Sequence, residues 1–361
     1  MRKKSKTKVT VTFILSFCMF LLICTPVMAQ NNTVSLTLED AIKRGYSSSI
    51  TLQKAEKSVE TADKKFDNTM SNQTLSTITY STAMNAQSDA LSAQVASKTY
   101  EQTKDAVMYD ITNKYWNIKK YEEHLKAAQL SYKKSLQDLG IARINAAVGL
   151  GTNATVLSAQ SSNAQAKTAL ETAQNSLTNA YSLFNIAVGL NREDRPNLSE
   201  EIPDYKPINM NTLSIEISQA VTSNPSIWQT QQSALIAQNT ANAILSTPGT
   251  TYYTYSQQLL SSEQAQLTVQ NTERSVATTI ESLFYQVGNL NQSYQQLLVS
   301  QEALAEAYRV KKLMYEVGVA TQNDVLAAEV SLTNINMSIN DSKYANNLLG
   351  IAFEKPWAMG S

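Results

Sequence analysis

Between residues 107 and 139 the apolar positions recur on one face of a helix: Val107, Ile111, Tyr115, Ile118, Tyr121, Leu125, Ala128, Tyr132, Leu136 and Leu139. Nine steps cover 32 residues, about 3.56 per step, between the ~3.5 of a heptad seam and the ~3.6 of a straight α-helix. The stripe is narrow and the other faces are polar. That pattern belongs to long helices packed side by side, not to one helix buried in a globule. A helix from about residue 85 to residue 147 spans roughly 95 Å at ~1.5 Å per residue.

The stripe stops at residues 148–159, VGLGTNATVLSA, and a second helical pattern starts at once. The same interruption returns 169 residues later at 317–328, VGVATQNDVLAA. Over positions 317–329 six of thirteen residues are identical to Val148, Gly149, Thr152, Val156, Leu157 and Ala159. Gly149 and Gly318 suit left-handed helix C-caps. Thr152 and Thr321 suit N-caps, and Asp324 stands where it closes a capping box and favours the positive helix end. Thr155, the counterpart of Asp324, is a poorer third position. Each element predicts the sharp tip of an antiparallel helical hairpin. Val148, Leu150, Val317 and Val319 then sit at the tips, either as an apolar docking surface or as staples of the turn.

The repeat extends further. At the same offset Tyr115 and Trp116 fall on Phe284 and Tyr285, Ile141 on Val310, and Arg143 on Lys312, while Leu139 falls on Tyr308. Residues 36–52 match 213–229 at an offset of 177, so the first copy is longer by eight residues. A repeat this long is a duplicated structural half, not a short solenoid unit. The join, 189–211, carries three prolines and reads as an extended linker. The expected organisation is a first helical half over 30–188, the linker, and a second half over 212–361. The fold class is all-α, two duplicated halves each built on a long antiparallel coiled-coil hairpin.

The start of the chain changes the compartment. MRKKSKTK is basic, VTFILSFCMFLLICTPV is apolar, and VMA precedes Gln30. This is a signal peptide over 1–29; the alternative is a retained anchor. Both cysteines, Cys18 and Cys24, lie inside it, and Ile23 does not suit a lipoprotein site at Cys24. The mature chain therefore has no thiol and no disulfide. Removing the five basic residues of the signal leaves 25 Lys+Arg against 30 Asp+Glu, a net charge of −5. A nucleic-acid binder would need a basic face, so that class is disfavoured. No second apolar run is long enough for a transmembrane helix. His124, the only histidine, sits among Glu122, Glu123 and Lys126 and reads as part of a solvated helix face, since a metal site needs several converging ligands. No hydrolase arrangement or phosphate-binding glycine loop stands out. No enzyme and no cofactor are expected.

The two tip motifs at matching positions, behind a similar opening segment in each half, resemble the TolC-type outer-membrane efflux proteins over roughly residues 35–353. The resemblance implies a homotrimer in which twelve helices enclose a tunnel. It implies that the tips, with Val148, Gly149, Leu150, Thr152, Val317, Gly318, Val319 and Thr321, dock an adaptor protein that works with an inner-membrane transporter. Asp324 matches an aspartate of the tunnel entrance and Tyr315 a tyrosine near the gate. A second family aspartate is here Ala327, and an arginine of some members is Ala320, so the entrance is expected to be less charged. The sequence departs from the family where two strands are inserted in each half. Residues 68–84 and 246–257 stand there, each with room for one short β-prone piece, 74–80 and 250–255. A transmembrane strand takes ~9–11 residues, so a barrel-reduced relative is expected, soluble or reaching membrane only through partners. The function implied is the exit duct of an efflux pump or type I secretion system. The alternative is a barrel-less coiled-coil scaffold or adaptor of the cell envelope.

Overall fold

Two rods set the scale of the molecule. In the computed structural model, which describes residues 35–72, 80–244 and 251–359, helix α3 runs Tyr80–Ala147 and helix α7 runs Tyr252–Glu316. At ~1.5 Å per residue each is roughly 100 Å long. The expected signal segment lies outside the described residues, as does most of the β-prone stretch 74–80.

Each half repeats one plan. Helix α1 (Leu38–Ser48) leads into α2 (Ile50–Ser71), then α3, then α4 (Asn153–Ala187). The second half follows with α5 (Leu213–Ser223), α6 (Pro225–Ile244), α7 and α8 (Gln322–Glu354). A 3-10 turn at Pro356–Met359 follows α8. The shorter helices flank each rod: α2 and α4 pack on α3, and α6 and α8 on α7. The halves join where α8 packs on α3. His124 reaches Asp341, and Asp138 reaches Asn323, so α3 and α8 run antiparallel and α3 and α7 point the same way. Both tips therefore lie at one end of the molecule.

The helix boundaries follow cap chemistry. Ser49 accepts from the Leu52 N–H at the start of α2, and Asn224 does the same for Ser226 and Ile227 at the start of α6. Thr251 caps α7 by accepting from the Thr254 N–H. Residues 252–255, expected as β-prone, are therefore the first turn of a helix: the cap and the following helical stretch outweigh the tyrosines' strand preference. Helix α3 likewise starts at Tyr80, five residues before the expected start.

The main core sits at mid-length on α3. Ile111, Tyr115, Trp116 and Ile118 pack with Ala41 of α1, Ala180, Tyr181 and Phe184 of α4, and Leu36 and Leu198. Tyr115 meets Trp116 edge-on at 4.8 Å and Phe184 at 6.0 Å. Leu36 and Leu198 belong to a two-residue parallel pair, β1 (Ser35–Leu36) and β2 (Asn197–Leu198), which ties the 189–211 segment across the rod. The buried Tyr115 hydroxyl donates to the Leu36 carbonyl at 3.0 Å and accepts from the Glu200 N–H at 3.2 Å.

The second half repeats the helices but not this core. Ile280 and Val287, the counterparts of Ile111 and Ile118, are buried, yet Tyr285 is 56% exposed where Trp116 is 2% exposed. Among the described residues no strand covers the second half as β1 and β2 cover the first. The sequence match of the aromatic pairs is real; the lid that buries one of them is not duplicated. Along the stripe of α3, Leu136 also emerges exposed, because the seam there is polar: Asn163 donates to the buried Ser135 at 3.0 Å.

Candidate functional site: the paired hairpin tips

The two tips are the same structure built twice. Gly149 has φ +78° and Gly318 φ +77°, both in the left-handed region. Around Gly149 the Leu150 N–H donates to the Asn145 carbonyl at 2.8 Å and the Gly149 N–H to Ala146 at 3.2 Å. Around Gly318 the Val319 N–H donates to Met314 at 2.8 Å and the Gly318 N–H to Tyr315 at 3.0 Å. This pair of bonds is the Schellman motif, which satisfies carbonyls that the helix end leaves open. It recurs at Gly189 (φ +69°), where α4 ends, a third use that the sequence reading did not single out.

The N-cap of the next helix, Thr152 or Thr321, stands three residues after each glycine. Thr321 accepts from the Asp324 N–H at 3.2 Å, and Asp324 accepts in return from the Thr321 N–H and hydroxyl, each at 2.8 Å. Those two donors hold the Asp324 carboxyl below the usual carboxylate range. Thr152 and Thr155 make the same reciprocal box at 3.2 Å each way. Thr155 was expected to serve poorly there; its hydroxyl is long enough to reach the Thr152 N–H, so both boxes close.

With their backbones satisfied, the tips turn apolar side chains to solvent. Val148 is 63% exposed, Leu150 83%, Val317 74% and Val319 69%. Tyr315, in the last turn of α7, is half exposed. The Asp324 carboxylate is engaged in its own cap. Asn323, beside it, donates to Asp138 on α3 at 2.8 Å. Asp138 lies nine residues before the end of α3, so the first tip projects roughly 13 Å beyond that contact at ~1.5 Å per residue. Burial pushes the Asp138 carboxyl up, but donors from Lys134 and Asn323 outweigh it and leave it below its ordinary value.

Further along the same seam His124 corrects the sequence reading. Its ring is part-exposed and engages a partner on another helix. Its Nε2 lies 2.9 and 3.1 Å from the two carboxylate oxygens of Asp341 on α8. Beside it, the Tyr344 hydroxyl donates to Asn113, and burial pushes that phenol up to about 12. The signal was out of reach in the sequence, because the partners are 217 residues apart. His124 also borders an open groove of about 820 Å³ between α3, α4 and α8, walled by Ala164, Thr168, Thr172 and other small residues. Among the described residues no group of three or more metal-ligating side chains converges, and no helix is long and apolar enough to cross a membrane.

No family model matches the sequence, and no curated protein matches it. Solved structures do. CusC, described as forming a transmembrane channel, superposes with a TM-score of 0.67 at 11% identity, over 91% of this chain and 93% of its own. The CmeC outer membrane channel of Campylobacter jejuni gives 0.66 at 13%, over 90% and 87%. The MtrE outer membrane channel of Neisseria gonorrhoeae, in its open state, gives 0.57 at 16%, over 90% and 89%. The chain thus has the fold of the TolC-type outer-membrane channels, duplicated hairpins and all, along nine-tenths of its length.

Proposed function

We propose that this protein is the exit duct of an efflux pump or type I secretion system, a homotrimeric helical tunnel whose tips dock an adaptor protein working with an inner-membrane transporter. The observation that carries the reading is an unpartnered apolar stripe on α7. Leu267, Tyr285, Val299 and Leu313 are all more than 45% exposed and are separated by 18, 14 and 14 residues, whole numbers of turns at ~3.5–3.6 residues each. Within one protomer α7 packs on α5, α6 and α8 and leaves those four side chains exposed. The opposite flank ends in α4, which exposes Leu157, Leu183 and Ile186. Two different edges that meet head to tail form a heterologous contact, which closes into a ring when the rotation between copies returns on itself. A ring of three places every tip at one end, with Val148, Leu150, Val317 and Val319 facing an adaptor and Asp324 and Tyr315 near the entrance.

The second reading, a barrel-less scaffold or adaptor of the envelope, is favoured by chain length at the other end. Only residues 72–79 and 245–251 separate the helices there, against ~9–11 residues for one transmembrane strand. We infer a duct whose outer-membrane barrel is reduced or missing. One experiment separates the readings: native mass measurement with projection imaging of the purified protein. A hollow trimer supports the duct; a monomer or dimer supports the scaffold and refutes the duct.

A further inference from the structure

The linker between the halves forms a belt across the middle of the molecule. On α3 the Tyr115 hydroxyl accepts from the Glu200 N–H, and Lys119 lies 3.4 Å from Glu201. On α8 Lys343 meets Asp204 at 2.8 Å, and Asn346 accepts from the Lys206 N–H at 3.2 Å. On α7 the Tyr294 ring stacks on Tyr205 at 3.8 Å. Between this belt and the tips, two pairs of hydrogen-bonded side chains join α3 to α8 among the described residues: His124 with Asp341, and Asp138 with Asn323. They stand 14 residues apart on α3, roughly 21 Å at ~1.5 Å per residue. The stretch between them is loosely filled. The open groove of about 820 Å³ runs beside it, bordered by Ala127, Ala128 and Ser131 of α3 and by Asn334 and Met337 of α8. Few polar contacts therefore hold the seam beyond the belt, and one of them contains the only histidine of the chain.

We propose that His124 and Asp341 form a pH-sensitive latch between the two halves, tight while the imidazole carries a proton and slack once it has lost it. An imidazolium facing a carboxylate adds charge attraction to the hydrogen bond; a neutral ring leaves the hydrogen bond alone. Histidine is the side-chain type whose charge ordinarily changes between pH 5 and 8. Carboxylates ordinarily ionise below that window, and amines and phenols above it. The neighbours are of those types and are already engaged. On α3, Glu123 is held by Lys126, Glu122 by Lys119 and the Tyr181 hydroxyl, Lys120 lies over the Tyr344 ring, and Tyr121 meets the imidazole edge-on at 5.8 Å. On α8, Lys343 is taken up by the belt, and burial pushes the Tyr344 phenol up. The α4 wall of the groove is uncharged, and Lys167 and Glu171 of α4 pair with each other. With Asp341 ionised, the latch is at full strength below the histidine range and is lost as pH rises through it. Both partners are part-exposed, so the effect has the scale of a surface ion pair, roughly two- to five-fold in the open-to-closed ratio of the seam. The inference does not rest on the duct reading, since the latch lies within one protomer.

The test is a distance measurement across the seam by pulsed electron resonance at pH 5.5 and pH 8. From residue 30 onward the chain has no cysteine, so spin labels can be placed by Gln129→Cys on α3 and Ser331→Cys on α8, both exposed. Dilution with unlabelled chain makes each distance that of one protomer. The population at longer distance should grow two- to five-fold from pH 5.5 to pH 8. His124→Gln, which keeps a donor but gains no charge, should give one distribution at both pH values, and so should Asp341→Asn. Asp138→Asn, which alters the other contact, should keep the shift. Circular dichroism checks that each variant retains its helicity. A parent distribution that does not change with pH overturns the proposal before any variant is read. So does a shift that either the His124 or the Asp341 variant retains in full, or one that the Asp138 variant abolishes.

Discussion

Gly149, Gly318 and Gly45 are all glycines for steric reasons, but for opposite ones. At Gly149 and Gly318 a Cβ would meet nothing within 4 Å, so the only obstacle is the positive φ. Replacing either with alanine should therefore cost about 1 kcal/mol, confined to the turn. Faster hydrogen exchange of the Leu150 or Val319 amide, with an unchanged melting temperature for the whole chain, is the expected reading. At Gly45 the backbone is ordinary helix, but a Cβ would lie 2.6 Å from Cγ1 of Ile111. Gly45→Ala pushes α1 off the core of α3 and should cost about 1–3 kcal/mol by overpacking. A lowered denaturation midpoint, partly restored by Ile111→Val, would show that crowding is the cause; no recovery would argue against it.

At the scale of elements, the α3–α8 seam is held by polar contacts whose strength depends on pH. Asp138 has its carboxyl held below the ordinary value, so the stability it contributes is present at neutral pH and is lost as pH falls through the folded value. Melting temperature should therefore drop on going from pH 6 to pH 3, and Asp138→Asn should flatten part of that drop; an unaltered slope would remove Asp138 from the account. Tyr344 acts at the other extreme. Its phenol, pushed up to about 12 by burial, favours the protonated form in the folded state. Stability from it is full below the unfolded value near ~10 and declines as pH rises through about 12. Tyr344→Phe should weaken the alkaline loss in a pH-jump melting series. What the sequence disclosed at this scale was what is local. The caps at Gly149, Thr152, Gly318 and Thr321 were legible because a cap needs only its neighbours. His124 was misread because its partner lies on another helix, and the burial of Trp116 but not Tyr285 depends on β1 and β2, which no repeat pattern foretells.

At the scale of the whole molecule, the long period of the repeat made the architecture readable before its assembly. Ring closure makes a demand on one protomer that folding alone does not: the stripe of Leu267, Tyr285, Val299 and Leu313 must be covered by the next copy. Val299 is 70% exposed in the protomer, so Val299→Asp should leave the fold of one chain almost untouched, within about 0.5 kcal/mol for a surface change. In a closed ring the same carboxylate would be buried against α4 without a partner, a penalty of several kcal/mol repeated at every seam. The expected outcome is a helical monomer: unchanged circular dichroism, with a native mass near that of a single chain. Leu157→Asp on α4 should give the same result from the other side of the seam. The two variants mixed together should not close a ring, since at least one seam would still bury an unpaired carboxylate. If Val299→Asp retains the parent's mass, α7 is not the edge that meets a neighbour, and the tunnel must close through a different surface or not at all.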